Sequence, residues 1–227
     1  MRKLLTSTAV VAAISMAAPA YAAGPKAPEA HQHGGAIVLA AASADSAKVD
    51  AIRAAERDLW IGHVFWVRNV VVAGIAGDAP AQKAAEGQVV ANAQALAAAI
   101  EPFYGAAAKE KLFGLLAGHY GAVRAYLDAS IAKDAAKQSD ATTKLLSNAA
   151  ELATFLAGAN PNLPKETVEG LLQAHGGHHI SQIQQLLAKD YGGEAKTWAD
   201  MTQHMYVIAD ALGGAIAKQF PDKFASK

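Results

Sequence analysis

The chain has 227 residues, with 20 basic and 20 acidic side chains and no cysteine. This balance of charge excludes the basic surface that nucleic-acid-binding proteins present, and the lack of cysteine excludes disulfides, thiolate metal sites and thiol nucleophiles. Hydrophobic residues make up 52% of the chain but aromatic residues only 7%, and the rest of the apolar content is largely alanine. This composition favours an all-α fold over a β-sandwich.

The first 22 residues have the pattern of a secretory signal peptide. They begin with the positive sequence MRK, continue with an apolar stretch over 4–18, and end with the cleavage motif AYA. The apolar stretch is too short to be a good membrane span. We therefore expect the mature chain to begin at Ala23, to be periplasmic or secreted, and not to be membrane-integral after cleavage. Residues 23–46, rich in Pro, Gly and His, are predicted to be a flexible leader.

A repeat of 56 residues, aligned without gaps, follows the leader. Identical residues recur at this spacing, among them His63, His119 and His175, and then Asp78, Asp134 and Asp190. Apolar residues recur about every four positions in each half of a unit, which is typical of amphipathic helices. Each unit is therefore predicted to be a helical hairpin whose second helix is capped by the aspartate.

Three such hairpins predict an all-α, six-helix bundle over residues 47–220. The three units are 47–103, 104–160 and 161–220, and a C-terminal tail follows at 221–227. The repeat is compatible with hairpins that close around a pseudo-threefold axis and with hairpins that stack as a short solenoid.

Several short motifs of this chain are similar to those of a known group of proteins. They are LWIGHVFWVRN (59–69), PFYG (102–105), ANPN (159–162), ADAL (209–212) and QFPDKF (219–224). With these motifs the chain resembles a family of uncharacterised exported bacterial helical proteins. The resemblance covers most of the mature chain and implies an exported helical domain, but it transfers no catalytic residue.

Polar residues interrupt the apolar stripes at the same position in every unit. In an antiparallel hairpin His63 is level with Asn92, His119 with Asn148, and His175 with His204. One hypothesis is a binding site for a transition metal (Zn, Cu, Ni or Fe) that neutral imidazoles hold. Its predicted ligands are His63, His119, His175, His204 and, one helical turn after His175, His179. Asn92 and Asn148 are predicted to support the ligands or to bind weakly.

Two other interpretations fit the same positions. Each histidine and the residue level with it are a hydrogen-bonded pair that fixes register in a structural or protein-interaction domain. Alternatively, two facing histidines bind haem non-covalently in a pocket walled by aromatic side chains. Those side chains are Trp60, Phe65, Trp66, Tyr120, Tyr126, Trp198 and Tyr206.

No enzyme class is predicted. The sequence places no nucleophile motif, carboxylate pair or cofactor-binding loop on the predicted buried faces, and the Glu-x-x-His motifs of di-iron bundles are missing. Arg68 and Arg124, which align between the first two units, are predicted to lie on a solvated or interfacial face.

Overall fold

This computed structural model describes residues 46–225 of the chain. These residues form seven α-helices and no β-strand. The predicted signal peptide and almost all of the predicted leader lie outside the described residues. The helices are α1 (Ser46–Ala76), α2 (Ala79–Tyr104), α3 (Ala106–Ile131), α4 (Ala135–Ala159), α5 (Lys165–Leu187), α6 (Tyr191–Gln219) and α7 (Pro221–Phe224). The prediction of an all-α fold is confirmed.

The predicted aspartates start the second helix of each pair. The side chains of Asp78, Asp134 and Asp190 each accept a hydrogen bond from the backbone N–H three residues later, at 2.9–3.0 Å. Such bonds satisfy N–H groups that have no partner inside the helix. The residue before each cap is left-handed, with φ of 72° at Gly77, 55° at Lys133 and 59° at Lys189. This conformation ends the preceding helix and turns the chain back.

Two boundaries differ from the sequence-based prediction. The C-terminal tail contains the short helix α7, because Phe224 is buried against α1 and α2 residues such as Ile52 and Phe103. Helix α2 continues through Pro102 to Tyr104, one residue past the predicted end of the first unit, and Gly105, with φ of 82°, is the single residue between α2 and α3. Only glycine adopts this conformation at little cost.

The six long helices form a closed ring. Each contacts its neighbour along the chain, and α1 also contacts α6. Helices α1, α3 and α5 contact one another across the interior, so they are the inner helices. The two ends of the described chain meet, because Lys48 Nζ donates to the backbone carbonyl of Ala225 and Arg57 pairs with Asp210. The bundle therefore closes and does not extend as a solenoid.

The core has two main apolar clusters along the bundle. The first contains Trp60, Leu116 and Leu172, and the second contains Val67, Val123 and Ile183. Along each inner helix, a buried histidine falls between the residues of these two clusters: His63, His119 and His175. The bundle therefore has a polar layer between two apolar ones.

Helix α1 is long and apolar enough, by length and composition, to cross a membrane, and it is the one helix among residues 46–225 with this property. Core helices of folded domains share the same length and composition. In this bundle α1 contacts α2, α3, α5 and α6.

Candidate metal centre

Four buried imidazoles meet in the polar layer. His63 lies on α1, His119 on α3, and His175 and His179 on α5. One ring nitrogen of each lies within 4.8 Å of those of the other three. Their side chains are 1–5% exposed. The three inner helices bring one histidine each to this level, and the spacing of four residues adds His179 on the same face of α5.

The four rings are arranged as a tetrahedron. All six distances between ring centroids fall between 4.5 and 5.9 Å. In a square-planar arrangement the two diagonal distances are clearly longer than the four side distances. The six centroid distances of this cluster do not divide in that way. A tetrahedral ion with metal–nitrogen bonds of about 2.0–2.1 Å holds its ligand nitrogens about 3.3 Å apart. In this cluster one nitrogen pair, on His175 and His179, is 3.2 Å apart, and the four ligand nitrogens all lie within 4.8 Å of one another.

Several ring nitrogens of the cluster lack a hydrogen-bond partner among the described residues. They are His63 Nε2, His119 Nε2 and His175 Nδ1. The remaining close contact joins His175 Nε2 and His179 Nε2 at 3.2 Å. Buried polar atoms are nearly always hydrogen-bonded, so these unpaired nitrogens are available to bind a ligand.

Burial keeps all four imidazoles neutral at neutral pH. It lowers the pKa of His63 to about 3, with a further contribution from His119, and the pKa of His119 to about 4. The pKa values of His175 and His179 are well below the usual range, first because of burial and then because of repulsion from neighbouring histidines. A neutral imidazole has the lone pair that a metal ion requires.

The outer helices anchor the turns that carry the histidines. Asn92 Nδ2 donates to the carbonyl of Leu59 at 2.9 Å, and Asn148 Nδ2 donates to that of Leu115 at 2.9 Å. His204 Nε2 lies 2.8 Å from the carbonyl of Leu171. Each of these carbonyls belongs to the residue four positions before a histidine of the cluster. The three side chains therefore fix the outer helices against the turns from which the imidazoles project.

The structure groups four of the five predicted ligands. His204 lies outside this group and contacts His178 instead, at 5.4 Å between ring centroids. Asn92 and Asn148 donate to carbonyl oxygens rather than to the histidines level with them. The haem hypothesis stays a prediction. In the structure the four rings contact one another directly, with centroids 4.5–5.9 Å apart.

Two buried carboxylates outside the cluster, Glu56 and Glu194, were not predicted. Glu56, 5% exposed, accepts a hydrogen bond from Trp60 Nε1 at 3.2 Å and lines an apolar cavity. Burial raises its pKa to about 7. The 56-residue alignment places Leu112 and Val168 at the equivalent positions. A charged residue where the other two units have apolar ones was the signal from which the buried Glu56 could have been predicted.

Arg68 binds a buried carboxylate at the interface between two helices, and its own side chain is 36% exposed. Its guanidinium donates two hydrogen bonds to Glu194, at 2.6 and 2.9 Å, and Glu194 is 4% exposed. Gln182 donates a third hydrogen bond to the same carboxylate. The group joins α1, α5 and α6, and the bonds from Arg68 hold the pKa of Glu194 below its usual value.

No protein-family model, curated protein or solved structure matches this chain. The geometry of the four-histidine cluster is therefore the basis for assigning a function.

Proposed function

We propose that this protein binds one transition-metal ion in the four-histidine cluster and that Zn²⁺ is the ion the site favours. The observation that carries the proposal is that four buried histidines bring one ring nitrogen each within 4.8 Å of one another. Neutral imidazole is a ligand for Zn, Cu, Ni and Fe. The unpaired nitrogens of His63 and His119 are the atoms that a bound ion would satisfy.

The tetrahedral arrangement supports zinc over the other candidates. Zn²⁺ sites in proteins are almost always tetrahedral when all ligands come from the protein. Cu(II) and Ni(II) favour square-planar or tetragonal sites, and the non-haem iron of oxygenases takes a carboxylate beside two histidines. No carboxylate belongs to this cluster in the part of the chain that the structure describes.

The site has the character of a structural or storage site. Four protein ligands complete a tetrahedron and leave no position for water or substrate, whereas catalytic zinc keeps one position open. The four side chains are also sealed from solvent. The function that fits is holding the ion, either to stabilise the bundle or to carry the metal.

The alternative is a structural or protein-interaction domain whose polar layer is hydrogen-bonded without a metal. In the sequence-based form of this alternative, each histidine is paired with the residue level with it. Within residues 46–225, Asn92 and Asn148 instead bond to carbonyls, and His63 Nε2 and His119 Nε2 are left unpaired. This pattern supports the metal-binding hypothesis.

We further propose that the bundle consists of three helical hairpins from a 56-residue repeat. The anchoring contacts support this, because Asn92–Leu59, Asn148–Leu115 and His204–Leu171 each span 33 residues and recur 56 residues apart. The left-handed residues Gly77, Lys133 and Lys189 recur at the same interval. The site would then combine one histidine from each unit with a second from the third unit.

Export of the protein is part of the same proposal. The sequence pattern of residues 1–22 suits a periplasmic or secreted domain. In that compartment a sealed site of imidazoles would bind metal without thiolates that oxidise.

Elemental analysis of the untagged protein tests the function. We expect about one Zn²⁺ per chain after dialysis against excess Zn²⁺ and then metal-free buffer. His63→Ala, with three ligands left, should retain far less. A wild-type chain that retains no metal, and whose melting temperature is unchanged by Zn²⁺, Cu²⁺, Ni²⁺ or Fe²⁺, would favour the structural alternative.

A further inference from the structure

The four-histidine cluster needs a route by which an ion enters and leaves. Its side chains are at most 5% exposed, and apolar clusters lie on both sides of it along the bundle. A bare or partly hydrated cation does not cross such apolar layers readily. Polar groups between the cluster and the surface therefore mark the route, and the third unit supplies them.

His178 and His204 form a pair of imidazoles between the cluster and the surface. His178 lies on α5 and His204 on α6, and both are half-buried. Their ring centroids are 5.4 Å apart, within the range of distances inside the four-histidine cluster. Two imidazoles at this distance are close enough to share a metal ion with water as the other ligands.

The hydrogen bond of His204 leaves one of its nitrogens free for a metal. Its Nε2 lies 2.8 Å from the carbonyl of Leu171, and a carbonyl only accepts hydrogen bonds. Nε2 therefore carries the proton, and in the neutral ring Nδ1 has the lone pair. His204 thus anchors α6 as Asn92 and Asn148 anchor α2 and α4, and it also offers a ligand atom that they do not.

The pair is continuous with the inner cluster. His178 precedes the inner ligand His179 in the chain. His204 bonds to the carbonyl of Leu171, which is one helical turn before the inner ligand His175. The outer pair is therefore linked to the segment of α5 that carries the inner ligands His175 and His179.

The pair is specific to the third unit. In the 56-residue alignment, His178 corresponds to Trp66 and Ala122, and His204 corresponds to Asn92 and Asn148. The anchoring role alone is served by asparagine, so histidine at 204 calls for a further explanation. Metal binding explains why the third unit has histidine at both positions.

We propose that His178 and His204 form an outer metal-binding pair through which Zn²⁺ enters and leaves the four-histidine cluster. This inference rests on the proposed function, because it requires the inner cluster to bind the ion. Two imidazoles with water bind more weakly than four imidazoles, so the ion moves inward. A transit site changes the rates of loading and release equally and leaves the equilibrium affinity unchanged.

The test compares His178→Ala and His204→Asn with the wild type, using Zn²⁺ as the probe. Both variants introduce the residue that another unit has at the same position, so both should fold, and His204→Asn keeps a donor for Leu171. Ser181→Ala, an exposed residue three positions after His178, is the matched control. Stopped-flow mixing gives the loading rate, transfer to a chromophoric chelator gives the release rate, and competition gives the dissociation constant.

We expect each histidine variant to slow loading and release by at least about tenfold, with the dissociation constant within about threefold of wild type. Ser181→Ala should match the wild type in all three. Wild-type rates in both histidine variants would overturn the outer pair while leaving the proposed function intact. Weaker binding with faster release would overturn it too, because it would make these residues ligands of the final site. A wild-type chain that binds no Zn²⁺ would overturn the proposed function, and the outer pair with it.

Discussion

In the proposed metal site each histidine of the cluster would supply one of four ligands, so a change at one position should affect the whole site. We expect His119→Ala to weaken Zn²⁺ binding by at least about a hundredfold, because one of four ligands to a tightly held ion is lost. Competition with a chromophoric chelator measures this. Ser130→Ala, another buried residue on α3, serves as the control and should keep the wild-type affinity. Equal affinities for the two variants would contradict the shared site.

The depressed pKa values of the cluster predict acid sensitivity of the metal-free protein. Unfolded histidines titrate near pH 6.5, whereas burial lowers the pKa of His63 to about 3 and of His119 to about 4. Between these values the unfolded chain binds more protons. The stability that the neutral histidines contribute is therefore fully present above about pH 6.5, and it declines as the pH falls toward their pKa values in the folded protein.

At pH 5 each of these two histidines should lower the free energy of unfolding by on the order of 2 kcal/mol relative to pH 7.5. Urea denaturation in the presence of EDTA measures this difference. Glu56 acts in the opposite direction, because its pKa is raised to about 7. The stability that its protonated form contributes is present at low pH and is lost as the pH rises from about 4.5. Glu56→Gln should therefore steepen the loss of stability on acidification. A stability that is flat from pH 7.5 to pH 5 in that variant would contradict neutral, buried imidazoles.

Among the helices, α5 has two adjacent glycines whose surroundings differ. A Cβ atom on Gly176 would lie 3.0 Å from Leu145 Cδ2, whereas one on Gly177 would meet nothing within 4 Å. Glycine in a helix interior costs up to about 1 kcal/mol relative to alanine. We therefore expect Gly177→Ala to stabilise the protein by about 0.5–1 kcal/mol and Gly176→Ala to destabilise it. Thermal melting of the two variants compares them directly, and equal shifts would contradict the packing described for α5.

The starts of the second helices were predictable from single residues. Aspartate caps act through local hydrogen bonds, so the positions of Asp78, Asp134 and Asp190 were sufficient. The short helix α7 was not predictable in the same way. It depends on the burial of Phe224 against residues from the other end of the chain, which local sequence does not encode.

The histidine layer was predictable, but its membership was only partly so. The repeat places His204 level with His175, and sequence alone does not distinguish inner from outer helices. In the structure α6 is an outer helix, and His204 bonds to the backbone of α5. His179 is on an inner helix and lies with His63, His119 and His175. The difference arises from the order in which the six helices pack, which is a property of the tertiary fold.

For the whole molecule, export predicts a specific change in the chain. The motif AYA at residues 20–22 predicts that a secreting bacterial host removes residues 1–22. Intact mass spectrometry of the periplasmic fraction should therefore give the mass of a chain that begins at Ala23. Replacing the two alanines of the motif with bulky residues should block this cleavage. Unprocessed protein recovered in soluble form from the cytoplasm of such a host would contradict the prediction.

The contact between Lys48 and Ala225 has a consequence for the order of the sequence. Because both ends of the described chain meet, a linker of about five residues, each spanning about 3.3–3.6 Å, should suffice to join them. New termini can then be opened in the exposed turn at Lys133, where few contacts are lost. This circular permutant would present the histidines in the order His175, His179, His63 and His119. A closed ring of helices can begin at any of its helices. We therefore expect the permutant to fold with a helical circular dichroism spectrum like that of the parent and to bind Zn²⁺ with similar affinity.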